Sequence, residues 1–396
     1  MIAMQQQLRM RLGALVIFRG LLQDPVFQAL DALLAADEAA PAQATAAWGE
    51  FCARLFGHTV NWTDYLLEQM AENENLYVLA LCQGRPSPTL DATLASELEF
   101  LQQLSAFDGE GLWQALGSPA YLPRWEVSAV DCAGFYRRRL EELPRKGYGI
   151  FARYSTFTVK DGALCPVKYP DHQRLEELSG YEQERQQVID NTRTLLEGGP
   201  AANVLLYGDA GTGKSSTVKA VAAAFADQGL RLIEVKKSQL YQIPSLVDSL
   251  GSNPLKFILF IDDLSFSTND DDFAALKAIL EGSVSGRTAN LTVYATSNRR
   301  HLIKETLSDR EGDDIHLADT MQELMSLSAR FGLTITYSRP DRDAYLSIVH
   351  DLAKLYELDM DQTQLDTRAE AHAIRHGGRS PRVAKQFIQS LKAQHE

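Results

Sequence analysis

One glycine-rich segment constrains the fold more than any other part of the sequence. It reads GDAGTGKS, fits the pattern G-x-x-x-x-G-K-[ST], and lies between an apolar run, NVLLY, and a helix-forming stretch, SSTVKAVAAAFADQ. Glycines let the backbone N–H groups surround phosphates, Lys214 adds positive charge near the β- and γ-phosphates, and Ser215 offers an oxygen to Mg²⁺. The segment therefore predicts a nucleotide-phosphate site formed by Gly208, Asp209, Ala210, Gly211, Thr212, Gly213, Lys214, Ser215 and Ser216.

Five apolar runs in the C-terminal half predict a sheet around this loop. NVLLYG, LRLIEV, KFILFID, LTVYATS and LTITYS are nearly continuous in hydrophobicity, and a helical stretch or long connection separates each from the next. Strands covered on both faces have this composition. We expect an α/β fold with a five-stranded parallel sheet and helices on both faces. Helical periodicity returns after Pro340 and predicts a small helical lid.

Two acidic residues follow the third of these strands. Asp262 and Asp263 end KFILFIDDL, at the strand edge where ligands bind in open α/β sheets. We expect Asp262 to hold Mg²⁺ and Asp263 to orient or activate the attacking water. Asp263 is one methylene shorter than a glutamate, so its reach to that water is reduced. Two solvated acids at a strand end are the alternative interpretation.

Three further polar residues are candidates for contact with the phosphates. Asn298 ends LTVYATSN, where its amide can hydrogen-bond the γ-phosphate or the attacking water, although asparagine also forms turns. Arg330 ends MQELMSLSAR and is a candidate arginine finger acting on a neighbouring subunit, or else a cation that neutralises a helix C-terminus. Arg382 falls in the first helical turn of SPRVAKQF, where a cation opposes the helix dipole and phosphate contact would explain it. Arg379 is the alternative lid arginine.

The N-terminal part of the chain has a different pattern. Apolar residues recur at three- and four-residue intervals up to about residue 125, which predicts amphipathic helices. Residues 148–177 are richer in aromatic and β-branched residues and predict a strand pair or extended connector. Since 396 residues exceed the usual size of one core, we expect a helical N-terminal domain (1–147), a connector (148–177), a nucleotide-binding core (178–338) and a helical lid (339–396).

Charge and composition exclude several classes of protein. The formal charge of −13 argues against a protein built mainly to coat nucleic acid or an anionic membrane. The four cysteines form no Cys-x-x-Cys pair, so neither a zinc site nor a disulfide framework is indicated. The N-terminus is a poor secretory signal and no run of eighteen apolar residues occurs, so cytoplasm is the expected compartment.

Three further features have less specific patterns. The basic clusters around Arg137 and at Arg299 predict solvated faces, with phosphate or nucleic-acid contact as the alternative. Tyr241 lies where a protein-threading machine would place a gripping loop, but no aromatic-hydrophobic-glycine motif is present, and we expect a core aromatic.

In this order and spacing, these motifs resemble the AAA+ ATPases, and more narrowly an uncharacterised bacterial family of predicted AAA+ ATPases with a helical N-terminal extension. The resemblance covers Leu178 to the C-terminus. It implies that Gly208 to Ser215 are Walker A, Asp262 and Asp263 Walker B, Asn298 sensor 1, Arg330 the arginine finger and Arg382 sensor 2. It also implies that Gly180 and Tyr181, in the segment before the phosphate loop, contact adenine.

The resemblance further implies ring-shaped or helical homo-oligomers that couple ATP hydrolysis to remodelling. We therefore expect an ATPase, with ATP and Mg²⁺ as cofactors, that remodels or loads an unidentified partner. The N-terminal helices would hold that partner, which we expect to be a protein rather than a nucleic acid, and no membrane is expected. A nucleotide-dependent switch with little hydrolysis is the alternative, and a P-loop kinase for a small molecule is a weaker one.

Overall fold

The computed structural model describes residues 2–37, 39–171, 173–265, 271–281, 289–298 and 329–395. The chain divides into two compact units, Met1–Arg153 and Tyr154–Glu396. Among the described residues, no helix is both long enough and apolar enough to cross a membrane.

The first unit is helical. Its described helices are α1 (Ile2–Gly13), α2 (Pro25–Leu34), α3 (Pro41–Phe56), α4 (Trp62–Glu72), α5 (Leu76–Cys82), α6 (Pro88–Ser105), α7 (Glu110–Ala115), α8 (Cys132–Glu141), α9 (Leu143–Lys146) and α10 (Ile150–Arg153). Several begin at proline, whose fixed φ suits the first helical turn. Asp24 and Asn61 cap α2 and α4, because their side chains accept backbone N–H groups of the first turn.

Aromatic side chains fill the core of this unit. The Trp62 ring lies within 5.3 Å of the Phe27 ring and 5.6 Å of the Phe51 ring, centroid to centroid, in edge-on packing. The indole N–H of Trp62 donates to the carbonyl oxygen of Leu104 at 2.8 Å, so its one polar atom is satisfied.

The basic cluster on α8 is only partly solvated. Arg137 and Arg138 are exposed as predicted, but Arg139 is buried, and its guanidinium donates to the carbonyl oxygens of Ala71 and Gly147. The prediction of a solvated face is therefore wrong for Arg139, because its planar head joins the end of α4 to the chain after α9.

The second unit is built on a seven-stranded sheet. Its strands are β1 (Thr156–Lys160), β2 (Ala163–Pro166), β3 (Val204–Gly208), β4 (Leu230–Val235), β5 (Lys256–Ile261), β6 (Leu291–Ser297) and β7 (Leu333–Tyr337), in the order β2-β1-β4-β5-β6-β3-β7. All neighbours are parallel except the hairpin β1–β2. The five predicted strands are confirmed, but the count of five is wrong, because β1 pairs with β4 and extends the sheet by a hairpin.

Helices accompany the sheet and follow it. The described helices are α11 (Glu182–Leu196), α12 (Lys214–Ala224), α13 (Ile243–Leu250) and α14 (Asp271–Glu281). Three more, α15 (Arg342–Leu355), α16 (Gln362–Arg375) and α17 (Pro381–His395), form the lid. The lid has an apolar core of its own, in which Tyr345, Ala369 and Ile388 are fully buried.

Tyr241 is not a core aromatic. It lies on a short 3-10 helix, Lys237–Gln242, with 67% of its surface exposed, and its hydroxyl accepts the side-chain amide of Gln242 at 2.7 Å. The prediction of burial is wrong, because Leu240 points into the core from this turn and Tyr241 points away.

Candidate functional site

The phosphate loop leaves β3 in a conformation that only glycines tolerate well. Gly208, Gly211 and Gly213 have φ values of 140°, 81° and 94°. A Cβ at Gly208 would lie 2.1 Å from the carbonyl oxygen of Tyr337, so a side chain cannot be accommodated there. The loop ends where α12 begins at Lys214, which puts backbone N–H groups of a helix N-terminus beside it.

Lys214 lies at the centre of the site. It is 6% exposed, and its ammonium donates to the carbonyl oxygens of Gly208 and Asp209, both at 2.8 Å, and to Oδ1 of Asn298 at 3.0 Å. Burial lowers the pKa of Lys214, while the carboxylates of Asp209, Asp262 and Asp263 oppose that shift. The site therefore holds a partly desolvated cation next to the loop.

Ser215 and Asp262 bring two side-chain oxygens together. The Ser215 hydroxyl donates to Oδ1 of Asp262 at 2.6 Å, across the gap between α12 and the end of β5. The same carboxylate oxygen accepts the hydroxyl of Thr296 at 2.5 Å. Hydroxyl and carboxylate oxygens at a phosphate loop are ligands that suit Mg²⁺, so these residues fit the predicted metal.

Asp263 and Asn298 lie on neighbouring strand ends. The Asn298 side-chain amide donates to Oδ1 of Asp263 at 2.9 Å, while its Oδ1 accepts Lys214. Asp263 has a φ of 51°, unusual for a residue with a side chain, and its N–H donates to the Thr296 hydroxyl at 2.9 Å. Asn298 thus connects the lysine of the loop to the second acidic residue.

Thr296 was missed by sequence reasoning. Its hydroxyl contacts both acidic residues, yet it lies inside the strand LTVYATS and reads there as an ordinary β-branched residue. Residues two apart in a strand point to the same face, so Thr296 lies on the same face as Asn298. That spacing is the sequence signal that could have identified it.

The lid touches the loop through α17. The backbone N–H of Arg382 donates to the carbonyl oxygen of Gly211 at 3.2 Å, and the Ser380 hydroxyl accepts the N–H of Val383 at 3.3 Å. Arg379 instead forms an ion pair with Glu370, with N–O distances of 2.7 and 3.0 Å. Of the two lid arginines, the structure places Arg382 at the loop.

Gly180 and Tyr181 also belong to the site. Tyr181 has a φ of 59°, its ring stacks on Tyr337 at 5.0 Å, and its hydroxyl donates to the carbonyl oxygen of Ser338 at 2.5 Å. A Cβ at Gly180 would come within 2.9 Å of Ile348, a lid residue. The segment before α11 is therefore held closely against both the sheet and the lid.

A cavity of about 420 Å³ joins these parts. Predicted residues that line it are Ala210, Gly211, Thr212, Gly213, Lys214, Ser215, Ser216, Asp262, Asp263, Asn298, Gly180, Tyr181 and Arg382. Small-molecule sites have volumes of roughly 300–1,000 Å³. Lys385, also in the lining, was not predicted, although it follows Arg382 by three residues on the same helix face.

Other predicted residues lie elsewhere. Gly208 and Asp209 precede the part of the loop that lines the cavity, and Arg330 is not a lining residue. Arg299, Arg300 and His301, and most of the helix predicted before Arg330, lie outside the described residues.

The α/β fold predicted from the motifs, a mainly parallel sheet accompanied by helices, is confirmed, with seven strands rather than five. The chain is similar to the solved Thermotoga maritima RuvB Holliday junction branch migration motor, at 16% identity and a TM-score of 0.38, covering 56% of this chain and 65% of that one. A point mutant of the same protein has a TM-score of 0.39 at the same identity and coverage. No protein of curated function matches the sequence.

A family model matches most of the second unit. It spans residues 151–395, more than half of the chain, and its family is described as "Protein of unknown function (DUF815)". The match includes every residue of the phosphate loop, the two strand-end acids and the lid. The chain belongs to the DUF815 family.

Proposed function

We propose that the chain binds ATP with Mg²⁺ and hydrolyses it to ADP and phosphate. The observation that carries the proposal is the hydrogen-bonded set Lys214–Asn298–Asp263, which lies beside the Ser215–Asp262 pair at the wall of one cavity. A P-loop site uses such groups to position phosphates and a water, since phosphoryl transfer depends mainly on positioning and charge stabilisation.

Each side chain has a role in this proposal. Lys214 and the loop N–H groups bind the phosphates, Ser215 and Asp262 hold Mg²⁺, and Arg382 adds charge from the lid. Asp263 accepts a proton from, or orients, the attacking water, and Asn298 fixes the direction of that carboxylate. Gly180 and Tyr181 contact the base.

A second candidate is a nucleotide-dependent switch with little hydrolysis. The geometry of Asp263 favours such a switch. Its side chain is too short to extend far toward an attacking water, and one of its carboxylate oxygens already accepts the Asn298 amide. Both candidate functions require ATP binding, and they differ in the rate of ATP hydrolysis.

The binding step is tested by comparing Lys214→Ala with Lys219→Ala. Lys219 lies on the same helix and pairs with Glu234 at 3.5 Å, away from the cavity lining, so it is a matched control. We expect Lys214→Ala to weaken ATP binding about 100-fold, because it removes a partly desolvated charge, and Lys219→Ala to bind normally. Calorimetric titration with ATP and Mg²⁺ checks this, and equal affinities would refute the assigned site.

We propose further that the chain acts as a homo-oligomer in which Arg330 completes the site of a neighbouring subunit. In that assembly residues 178–338 hydrolyse ATP, residues 339–396 move with the nucleotide, and the helices of residues 1–147 hold a partner to be remodelled or loaded. That partner is a protein in this proposal, and the compartment is the cytoplasm, which agrees with the four free thiols.

Mixing two inactive variants tests the shared site. Lys214→Ala subunits keep Arg330, and Arg330→Ala subunits keep Lys214. If Arg330 acts across an interface, the mixture regains hydrolysis, because some interfaces combine an intact loop with an intact arginine. No recovery, with both pure variants inactive, would place Arg330 in its own subunit's site or in a structural role. Arg375→Ala, an exposed arginine on α16, serves as the control.

A further inference from the structure

Asp209 does not face the cavity, although it lies inside the phosphate loop. Its backbone N–H donates to the carbonyl oxygen of Tyr337 at 3.1 Å, which continues the β3–β7 pairing by one step. Its carboxylate oxygen Oδ2 accepts the backbone N–H of Arg339 at 3.0 Å. Its own carbonyl oxygen accepts Lys214 and the Thr212 hydroxyl, both at 2.8 Å. One residue therefore links the cation of the loop to the chain that follows β7.

That chain leads directly into the lid. Residues 338–341 connect β7 to α15, and Asp341 caps α15 by accepting the N–H of Ala344 at 2.8 Å. Ile348 and Leu352, on the first helix of the lid, line the cavity. The position of Arg339 therefore affects the position of α15, which carries these two lining residues.

Arg339 also contacts the turn between α16 and α17, inside the lid. Its guanidinium lies so close to Gly378 that a Cβ there would come within 2.9 Å of the nitrogen. Gly378 precedes α17, which carries Arg382 and Lys385 into the cavity lining. Arg339 thus lies in the connection into the lid and touches the α16–α17 turn, while its N–H is held by Asp209.

A carboxylate in this loop has an electrostatic cost. The loop and the adjoining helix N-terminus attract phosphate, and a negative side chain nearby repels it. The hydrogen bond to Arg339 gives this charge a structural purpose, because an ionised acceptor makes a stronger bond than a neutral one.

We propose that Asp209 is a positioning residue that couples the phosphate loop to the lid, so that nucleotide bound at Lys214 and the position of α15 depend on each other. This inference rests on the proposed nucleotide binding and adds a route by which that binding reaches the lid. The route consists of Lys214, the backbone and carboxylate of Asp209, and Arg339.

Hydrogen exchange on three full-length variants tests the coupling. Asp209→Ala removes the acceptor, Asp209→Asn keeps an acceptor without the charge, and Asp341→Ala loosens the start of α15 without touching the loop. In Asp209→Ala, we expect the Arg339 amide to exchange roughly tenfold faster and ADP with Mg²⁺ to bind roughly tenfold more weakly. We also expect ADP to protect α15 in the wild type and in Asp209→Asn, but not in Asp209→Ala.

Several results would overturn the inference. One is an Asp209→Ala protein that matches the wild type in the Arg339 amide and in the ADP protection of α15. Another is Asp341→Ala weakening ADP binding as much as Asp209→Ala, since general loosening of the helix would then suffice. A third is tighter ADP binding by both Asp209 variants, which would make charge repulsion the main effect. If the wild type binds no ADP, the proposed function itself fails, and that result is distinguishable from the other three.

Discussion

A single methylene separates Asp263 from a glutamate, and the position of its carboxylate depends on that difference. Its backbone has a φ of 51°, and its side chain is held by Asn298 at 2.9 Å. The carboxylate therefore stays close to its own strand end. In the proposed reaction this geometry limits how far it reaches toward a water at the phosphate.

Substitutions at Asp263 separate a hydrolase from a switch. We expect Asp263→Asn to lower the hydrolysis rate about 100-fold with ATP affinity unchanged, because the amide cannot accept a proton. We expect Asp263→Glu to raise the rate, because the longer side chain reaches further. Steady-state phosphate release with parallel ATP titrations measures both. A rate unaffected by Asp263→Asn would remove this residue from the mechanism.

The buried ammonium of Lys214 predicts a pH dependence of binding. Burial lowers its pKa, so in the free protein Lys214 loses its proton at a lower pH than an exposed lysine does. As pH rises through that pKa, the positive charge is lost and nucleotide affinity falls. Titrations with ADP from about pH 7 to about pH 10 measure this fall. Lys219→Ala should show the same profile, and an affinity constant over the whole range would contradict the prediction.

At the scale of elements, local sequence patterns are enough to predict most strands. Contacts between residues far apart in the sequence cannot be predicted from such patterns. The strands β3 to β7 were predictable because each is a nearly continuous apolar run. The sheet membership of β1 was not, because its pairing of Thr156 with Leu232 joins residues far apart in sequence. The same holds in the site, where the Asp209–Arg339 bond spans 130 positions and no local motif marks it.

Helix capping in the first unit can be tested by one substitution. Asn61 accepts the N–H of Asp64 at 3.2 Å and donates to the Ser128 hydroxyl at 2.8 Å. We expect Asn61→Ala to lower the free energy of unfolding by about 1 kcal/mol, because a first-turn N–H of α4 loses its partner. Urea denaturation followed by tryptophan fluorescence measures the change. Glu68→Ala, an exposed position on the same helix, is the control and should have almost no effect.

At the scale of the whole molecule, the proposal implies a division of function between the two units. The first unit has its own aromatic core, and the second contains the cavity at the phosphate loop. Among the described residues, those that line the cavity all belong to the second unit. In the proposed function, the first unit binds the partner.

Separating the units tests that division. We expect a fragment of residues 154–396 to bind ADP with the affinity of the full chain, because the cavity is contained within it. We expect the fragment to lose any stimulation of hydrolysis by a partner. Calorimetry on both proteins checks the first point. A folded fragment with much weaker binding would show that the first unit contributes to the site.

The two links between the loop and the lid region differ in how evolution can alter them. The bond from Arg382 to Gly211 joins main-chain atoms at both ends, so no exchange of side chains removes its donor except a proline at position 382. The bond from Arg339 to Asp209 ends on a side chain and disappears with one substitution. Lineages of this chain can therefore lose or regain the second link by a single codon change while the first persists.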